Sequence, residues 1–267
     1  MIKDITLGQY FPGNSPIHRM DSRVKLVLTI AFIVLLFAAD NLAALSVGIV
    51  FTFLTFAISK IPFKMILKSL KPIIPIVIFT AILNLFFTKT GKVLVDFYFI
   101  EITDKGLNMT VFMIVRIICL IVGTSLLTYT TSPIELTDAI ERLLSPLKKI
   151  KLPVHELAMM MTIALRFIPT LIEETDKIMS AQKARGADME TGSLIHRAKA
   201  LVPILIPLFV SSLRRAEELA MAMECRCYHG GDGRTRMKQL KLSYLDAIGI
   251  AYTAIFLAGV FVVNHFC

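Results

Sequence analysis

Two arginines set the terms for this chain. Arg185 lies in residues 181–186, Ala-Gln-Lys-Ala-Arg-Gly, and Arg226 in residues 222–227, Ala-Met-Glu-Cys-Arg-Cys. At a common offset of 41 positions Asp176 matches Glu217, Ala181 matches Ala222 and Arg185 matches Arg226, so a helix ending in an exposed arginine is written twice. A long side chain with a permanently charged, planar fork at a helix end suits insertion into an acidic groove on a partner. Either site alone has a plainer explanation: a basic residue in the last turn complements the macrodipole, and Gly is the usual terminator. The paired occurrence favours docking by Ala184-Arg185-Gly186 and Cys225-Arg226-Cys227.

The elements that must hold these ends are mostly apolar. Of 267 residues, 55% are hydrophobic and only 18% are charged, with a mean hydropathy of +0.71. That composition predicts a membrane protein with a soluble part, and the segments along the chain read as an all-α membrane protein with about five transmembrane helices plus a cytoplasmic domain of long amphipathic coupling helices. Basic residues retain loops on the cytoplasmic side, so the net charge of +9 speaks of topology before nucleic acid. Cys119, Cys225, Cys227 and Cys267 show no framework spacing, and disulfides are not expected of them. The polar, turn-rich start has none of the features of a cleaved signal peptide.

Along the chain, residues 1–25 form a cytoplasmic N-terminal segment in which Asp21 can cap the coming helix, with Arg23 and Lys25 as inner headgroup anchors. A four-span transmembrane region, 26–130, follows. Its spans are 26–39, which is short unless Arg23 and Lys25 snorkel, then 42–59, 72–88 and 107–129. Asp40-Asn41 reads as a tight turn between the first two. Lys60, Lys64, Lys68 and Lys71 line one face of a short interfacial helix. Residues 93–100 read as a short strand or a re-entrant piece. Arg116 lies near the middle of the fourth span, where a charge is costly and must face protein or water; with no acid at matching depth, packing or subunit contact is its expected role.

At Ser132-Pro133-Ile134-Glu135 a capping box opens a cytoplasmic domain, 131–243. Its long helices over 155–172 and 194–213 are interrupted by Glu156, Arg166, Pro169, Arg197, Lys199, Pro203 and Pro207. We read them as amphipathic and non-spanning; a seven-span topology is the alternative. Arg234, Arg236, Lys238 and Lys241 then anchor a last transmembrane helix within 244–267, leaving Cys267 outside.

Taken in order, Tyr10, Pro12-Gly13, Ser15, His18, Asp21, Arg23 and Lys25, then Arg166-Phe167-Ile168-Pro169, Gln182 and Ala184-Arg185-Gly186, then Arg214-Arg215-Ala216-Glu217, Ala222-Met223-Glu224 and Arg226, resemble the transmembrane T component of energy-coupling factor (ECF) transporters, prokaryotic vitamin and metal importers. The resemblance covers most of the chain. It implies that Arg185 and Arg226 dock into grooves of two ATP-binding cassette subunits, and that the cytoplasmic helices grip a small substrate-binding membrane protein, the S component. It departs at Cys225 and Cys227, where small neighbours are usual. The unequal surroundings of the two arginines point to non-identical ATPases.

On this reading the chain is a non-catalytic coupling subunit in a prokaryotic cell membrane. It binds no cofactor itself, and ATP and magnesium sit on the partner ATPases. No Gly-rich loop with Lys and Ser or Thr is present, so ATP energy must enter through a partner. Several methionines, among them Met159, Met160, Met161, Met189 and Met221, would give either an adaptable docking platform or plain core. An autonomous ion-coupled carrier is the first rival, but one arginine and no repeat among the spans fit it poorly. A membrane-embedded enzyme is the second. His18, His155, His196, His229 and His265 are scattered, and Cys225-Arg226-Cys227-Tyr228-His229 is a poor metal motif. Nucleic-acid binding is disfavoured, because no reading motif accompanies the charge.

Overall fold

A computed structural model of the chain describes residues 10–87, 93–97, 100–150, 153–187, 193–230 and 240–266. Lys89, Lys92, Met189, Arg234, Arg236, Lys238 and Cys267 lie outside the described residues. The first elements are α1 (Pro16–Arg19), α2 (Ser22–Ala38), α3 (Leu42–Ser59), α4 (Phe63–Leu70) and α5 (Ile74–Phe87). A hairpin, β1 (Val93–Phe97) and β2 (Ile100–Thr103), separates these from α6 (Asp104–Thr130). Then come α7 (Pro133–Leu144), a 3-10 turn (Ser145–Ile150), α8 (Val154–Ala184), α9 (Leu194–Glu224) and α10 (Tyr244–Phe266). Contacts divide them into two units, Gly8–Ala139 with Leu240–Cys267, and Ile140–Gln239.

The fold is that of an all-α membrane protein. Among the described helices α3, α6, α8 and α10 are long and apolar enough to cross a bilayer, and α4 with α5 would make a fifth span, bent by 57°. At 17 residues α2 reaches only about 25 Å, short of the about 30 Å of a bilayer's hydrocarbon core. The most apolar window of α8 is the weakest of the four, with a mean hydropathy of 1.3 against 2.0 to 2.3 in the others. Arg166 and Pro169 interrupt it.

The first unit is organised by α2, α3, α6 and α10. Phe32, Leu35, Leu36, Leu45, Phe51, Cys119 and Val260 form its core. Phe51 stacks on Phe32 with ring centroids 5.4 Å apart and on Tyr252 at 4.9 Å. Gly123 of α6 is what admits Phe32, since a Cβ there would lie 2.0 Å from its Cε1. Arg116 donates to the carbonyl of Ala39, one of the oxygens that the end of α2 leaves without a helical donor, and its guanidinium lies 4.4 Å from the Phe112 ring centroid. The charge of Arg116 is therefore spent on closing the α2–α3 turn. The stretch 93–100, read as strand or re-entrant piece, holds β1, which pairs antiparallel with β2 just beyond it, and Thr103 at the end of β2 is the N-cap of α6, accepting from Gly106 N–H at 3.2 Å.

The second unit is essentially the α8–α9 pair with the 3-10 turn packed on α8. His155 at the start of α8 meets Glu141 at 3.1 Å. Among the described residues few of its side chains are buried: Glu141, Val154, Ala158 and Ile204 are, whereas Leu157, Met160, Met161, Leu205, Phe209 and Leu213 are exposed.

Candidate functional site

Both arginine-bearing ends are closed by the same backbone device. After α8 the amide of Gly186 donates to Lys183 O at 3.0 Å and that of Ala187 to Gln182 O at 3.0 Å. Gly186 has φ +85, so this is a Schellman cap with glycine in the left-handed position. After α9 the amide of Cys227 donates to Glu224 O at 2.8 Å and that of Tyr228 to Met223 O at 3.1 Å, with Cys227 at φ +55. Each donor and acceptor is shifted by the same 41 positions, so Arg185 and Arg226 hold one stereochemical place. The departure from the small-residue pattern falls on the position that needs left-handed backbone, where Cys227 stands in for Gly. Arg185 and Arg226 are exposed, as are Ala184, Gly186, Cys225 and Cys227. Among the described residues neither arginine side chain has a partner.

The repeat extends into the helix crossing. Glu174 of α8 accepts from Ser211 Oγ at 2.5 Å and is bound by Arg215 of α9. Glu174 and Arg215 are themselves 41 positions apart, so each arginine end lies 11 residues, about 16 Å of helix, beyond the crossing. Gln182 donates to Pro203 O at 3.4 Å. With the 174–215 pair this makes the helices antiparallel, and the two arginine ends point away from the crossing in opposite directions. The Gln182 bond has a specific cause. Pro207 has no N–H, so the carbonyl four residues earlier, that of Pro203, lacks its helical donor, and Gln182 supplies one. In the sequence Gln182 stands out only through the family resemblance. The signal that could have found its role was the Pro203–Pro207 spacing.

The N-terminal motif lies in the other unit and forms a knot there. Ser15 Oγ lies 2.7 Å from His18 Nδ1, and His18 Nε2 donates to Phe11 O at 3.0 Å. Asp21 caps α2, accepting from Arg23 N–H at 2.9 Å and pairing with the Arg23 guanidinium at 2.7 Å. Buried Asp246, at the start of α10, accepts from the amides of Asp21 at 2.8 Å and Ser243 at 2.6 Å. Lys25 corrects the sequence reading: it does not snorkel. It is 5% exposed, and its Nζ donates to Thr130 O at 2.9 Å and His18 O at 3.1 Å. Those carbonyls are left free at a helix end and a turn, and a buried cation satisfies them. Burial, aided by the charge of Lys25 and opposed by the Phe11 carbonyl, lowers the His18 pKa. Burial would raise that of Asp21, but the hydrogen bonds and charge of Arg23, with Lys25, outweigh it and hold the carboxyl low.

Among the described residues no group of three or more His, Cys, Asp or Glu side chains could hold a metal ion. Cys225 and Cys227 are free thiols.

Residues 13–237 match the CbiQ family, described as cobalt transport protein. The chain is 59% identical over 249 residues to the energy-coupling factor transporter transmembrane protein EcfT of Clostridium kluyveri, covering 93% of this chain and 92% of that one. It is 52% identical to the EcfT of Ruminiclostridium cellulolyticum over 265 residues, 99% of both chains. It is 49% identical to that of Bacillus subtilis over 240 residues, 90% of this chain and 91% of that one.

Proposed function

This chain belongs to the CbiQ family and is the transmembrane (T) component of an energy-coupling factor transporter, and from that premise we propose that it couples two ATP-binding cassette subunits to a substrate-binding S component in the import of vitamins or other micronutrients. Arg185 and Arg226 enter one ATPase each. The observation that carries this is the pair of arginines, closed by the same backbone device and without a side-chain partner among the described residues, at the two far ends of one crossed helix pair. One helix pair so built can grip two homologous subunits at once. The ends are not electrostatically equal, since Lys183 precedes Arg185 where Glu224 precedes Arg226. This supports two non-identical ATPases.

The chain acts without catalysis of its own. Closure of the ATPase dimer on ATP and magnesium moves the arginine ends relative to each other. The helices, 31 residues each, carry that displacement as a lever. Exposed Met160, Met161, Leu205, Phe209 and Leu213 on the same pair supply an apolar platform for the S component. In this reading Ile140–Gln239 lies on the cytoplasmic face of the cell membrane, with the N-terminus on the same side.

Co-purification from native membranes tests it, comparing the unmodified chain with Arg185→Ala, Arg226→Ala and the double variant. Two ATPases and a small membrane protein should accompany the unmodified chain, and the double variant should lose the ATPases and ATP-driven uptake. Normal ATPase binding and uptake by the double variant would end the docking reading.

A further inference from the structure

Helix α4 carries a feature that the coupling function does not use. Between residues 41 and 87 the chain has four lysines, Lys60, Lys64, Lys68 and Lys71, and no acidic residue. All four are exposed, and among the described residues none has an ion-pair or hydrogen-bond partner. Lys64, Lys68 and Lys71 are spaced four and three apart and share one face; Lys60, with φ +56, stands at the helix entry. Each of Phe63 and Leu67 precedes a lysine by one position and so lies about 100° round the helix from it. Both are exposed, at 62% and 51%.

The third face fixes the other two. Ile66 is buried, Tyr129 of α6 donates to Met65 O at 3.0 Å, and its hydroxyl also bonds Ser69. Ile61, Leu126 and Tyr129 form a small core beneath. Helix α4 therefore cannot roll freely, and the lysine row and the apolar stripe are presented side by side. It meets α5, a helix with no buried residue, at a 57° bend.

We propose that α4 is a docking surface for anionic phospholipid, with Phe63 and Leu67 in the acyl region and Lys60, Lys64, Lys68 and Lys71 on the phosphates. A soluble anion would account for the lysines but would leave the adjoining apolar stripe in water. A membrane boundary satisfies both, and unopposed cations select its anionic lipids. The preference is independent of the ATPase-docking reading.

The experiment is native mass spectrometry of the purified full chain in detergent, supplied with phosphatidylglycerol and phosphatidylcholine of the same acyl chains. The unmodified chain should retain phosphatidylglycerol preferentially. Lys→Gln at all four positions should remove the preference, at about fivefold per lysine at low ionic strength, and Lys→Arg at all four should keep it. Equal retention of the two lipids by the unmodified chain, or a preference unchanged in the Gln variant, would overturn the proposal. So would a preference abolished by inorganic phosphate, which would assign the row to a soluble anion.

Discussion

Glu174 and Arg215 stand at equivalent positions of the two long helices and are bound to each other where the helices cross. The interval that separates them is the interval that separates Arg185 from Arg226. The repeat therefore specifies both the two ends and the point about which they are disposed. Because both partners are partly shielded, with side chains 21% and 33% exposed, the pair should be worth more than a surface ion pair. Glu174→Ala and Arg215→Ala should show a coupling of about 1–2 kcal/mol in a double-mutant cycle on thermal stability. The charge swap Glu174→Arg with Arg215→Glu should recover most of it. Strict additivity would show that the contact contributes nothing.

The two caps differ in how well their residues suit left-handed backbone. Gly186→Ala should weaken the α8 end by about 1 kcal/mol, and Cys227→Gly should strengthen the α9 end by a similar amount. Hydrogen exchange at the amides of residues 186–187 and 227–228 reads each end separately. Protection should fall at the first and rise at the second.

Gln182 serves the Pro203 carbonyl that Pro207 orphans. Gln182→Leu should then cost about 1 kcal/mol, because Pro203 O loses its donor. In a Pro207→Ala background the same change should cost little, since the restored amide bonds that carbonyl. An equal loss in both backgrounds, measured by thermal melting in detergent, would remove Gln182 from this role.

Acid should loosen the N-terminal knot. The His18 pKa is depressed below its ordinary 6.5, so an unfolded chain takes up a proton first, and the stability His18 contributes is lost as pH falls below that value. The Asp21 carboxyl is also held low, so its contribution is present above the ordinary carboxylate range and lost as pH falls through its own lower value. Thermal stability should fall in two stages on acidification. His18→Gln should abolish the upper stage and leave the lower one.

Gly123 is the hole into which Phe32 packs. Gly123→Ala should destabilise the first unit by about 1–3 kcal/mol through overpacking. Phe32→Leu in the same chain should return part of the loss. A Gly123→Ala protein that melts with the unmodified one would show that α2 and α6 can separate freely at this point.

Much of the fold was legible because membrane helices announce themselves. With no water to serve backbone groups, a spanning helix must be long and apolar, and α3, α6 and α10 follow from runs of suitable length, whereas α5, at 14 residues, reaches that length only together with α4. Asp21 as a cap and Ser132 before α7 were legible from local chemistry alone, and Glu135 N–H does bond Ser132 Oγ, at 3.3 Å. The β1–β2 hairpin was only half legible, because a short apolar run between charged residues has no period that separates strand from re-entrant chain.

The apolar runs of α3, α6 and α10, the two repeated helix ends and their common interval can all be read from the amino acids alone, since each is a matter of local composition or spacing. Tertiary structure alone decided how Lys25 spends its charge, because, of its partners His18, Thr130 and Thr131, the last two are more than 100 positions away in the chain. It alone decided that Asp246 serves the amide of Asp21, 225 positions away. It alone decided that Gln182 repairs a proline break in another helix. Local pattern can state that a polar group needs a partner. Which distant group meets the need depends on how the helices cross.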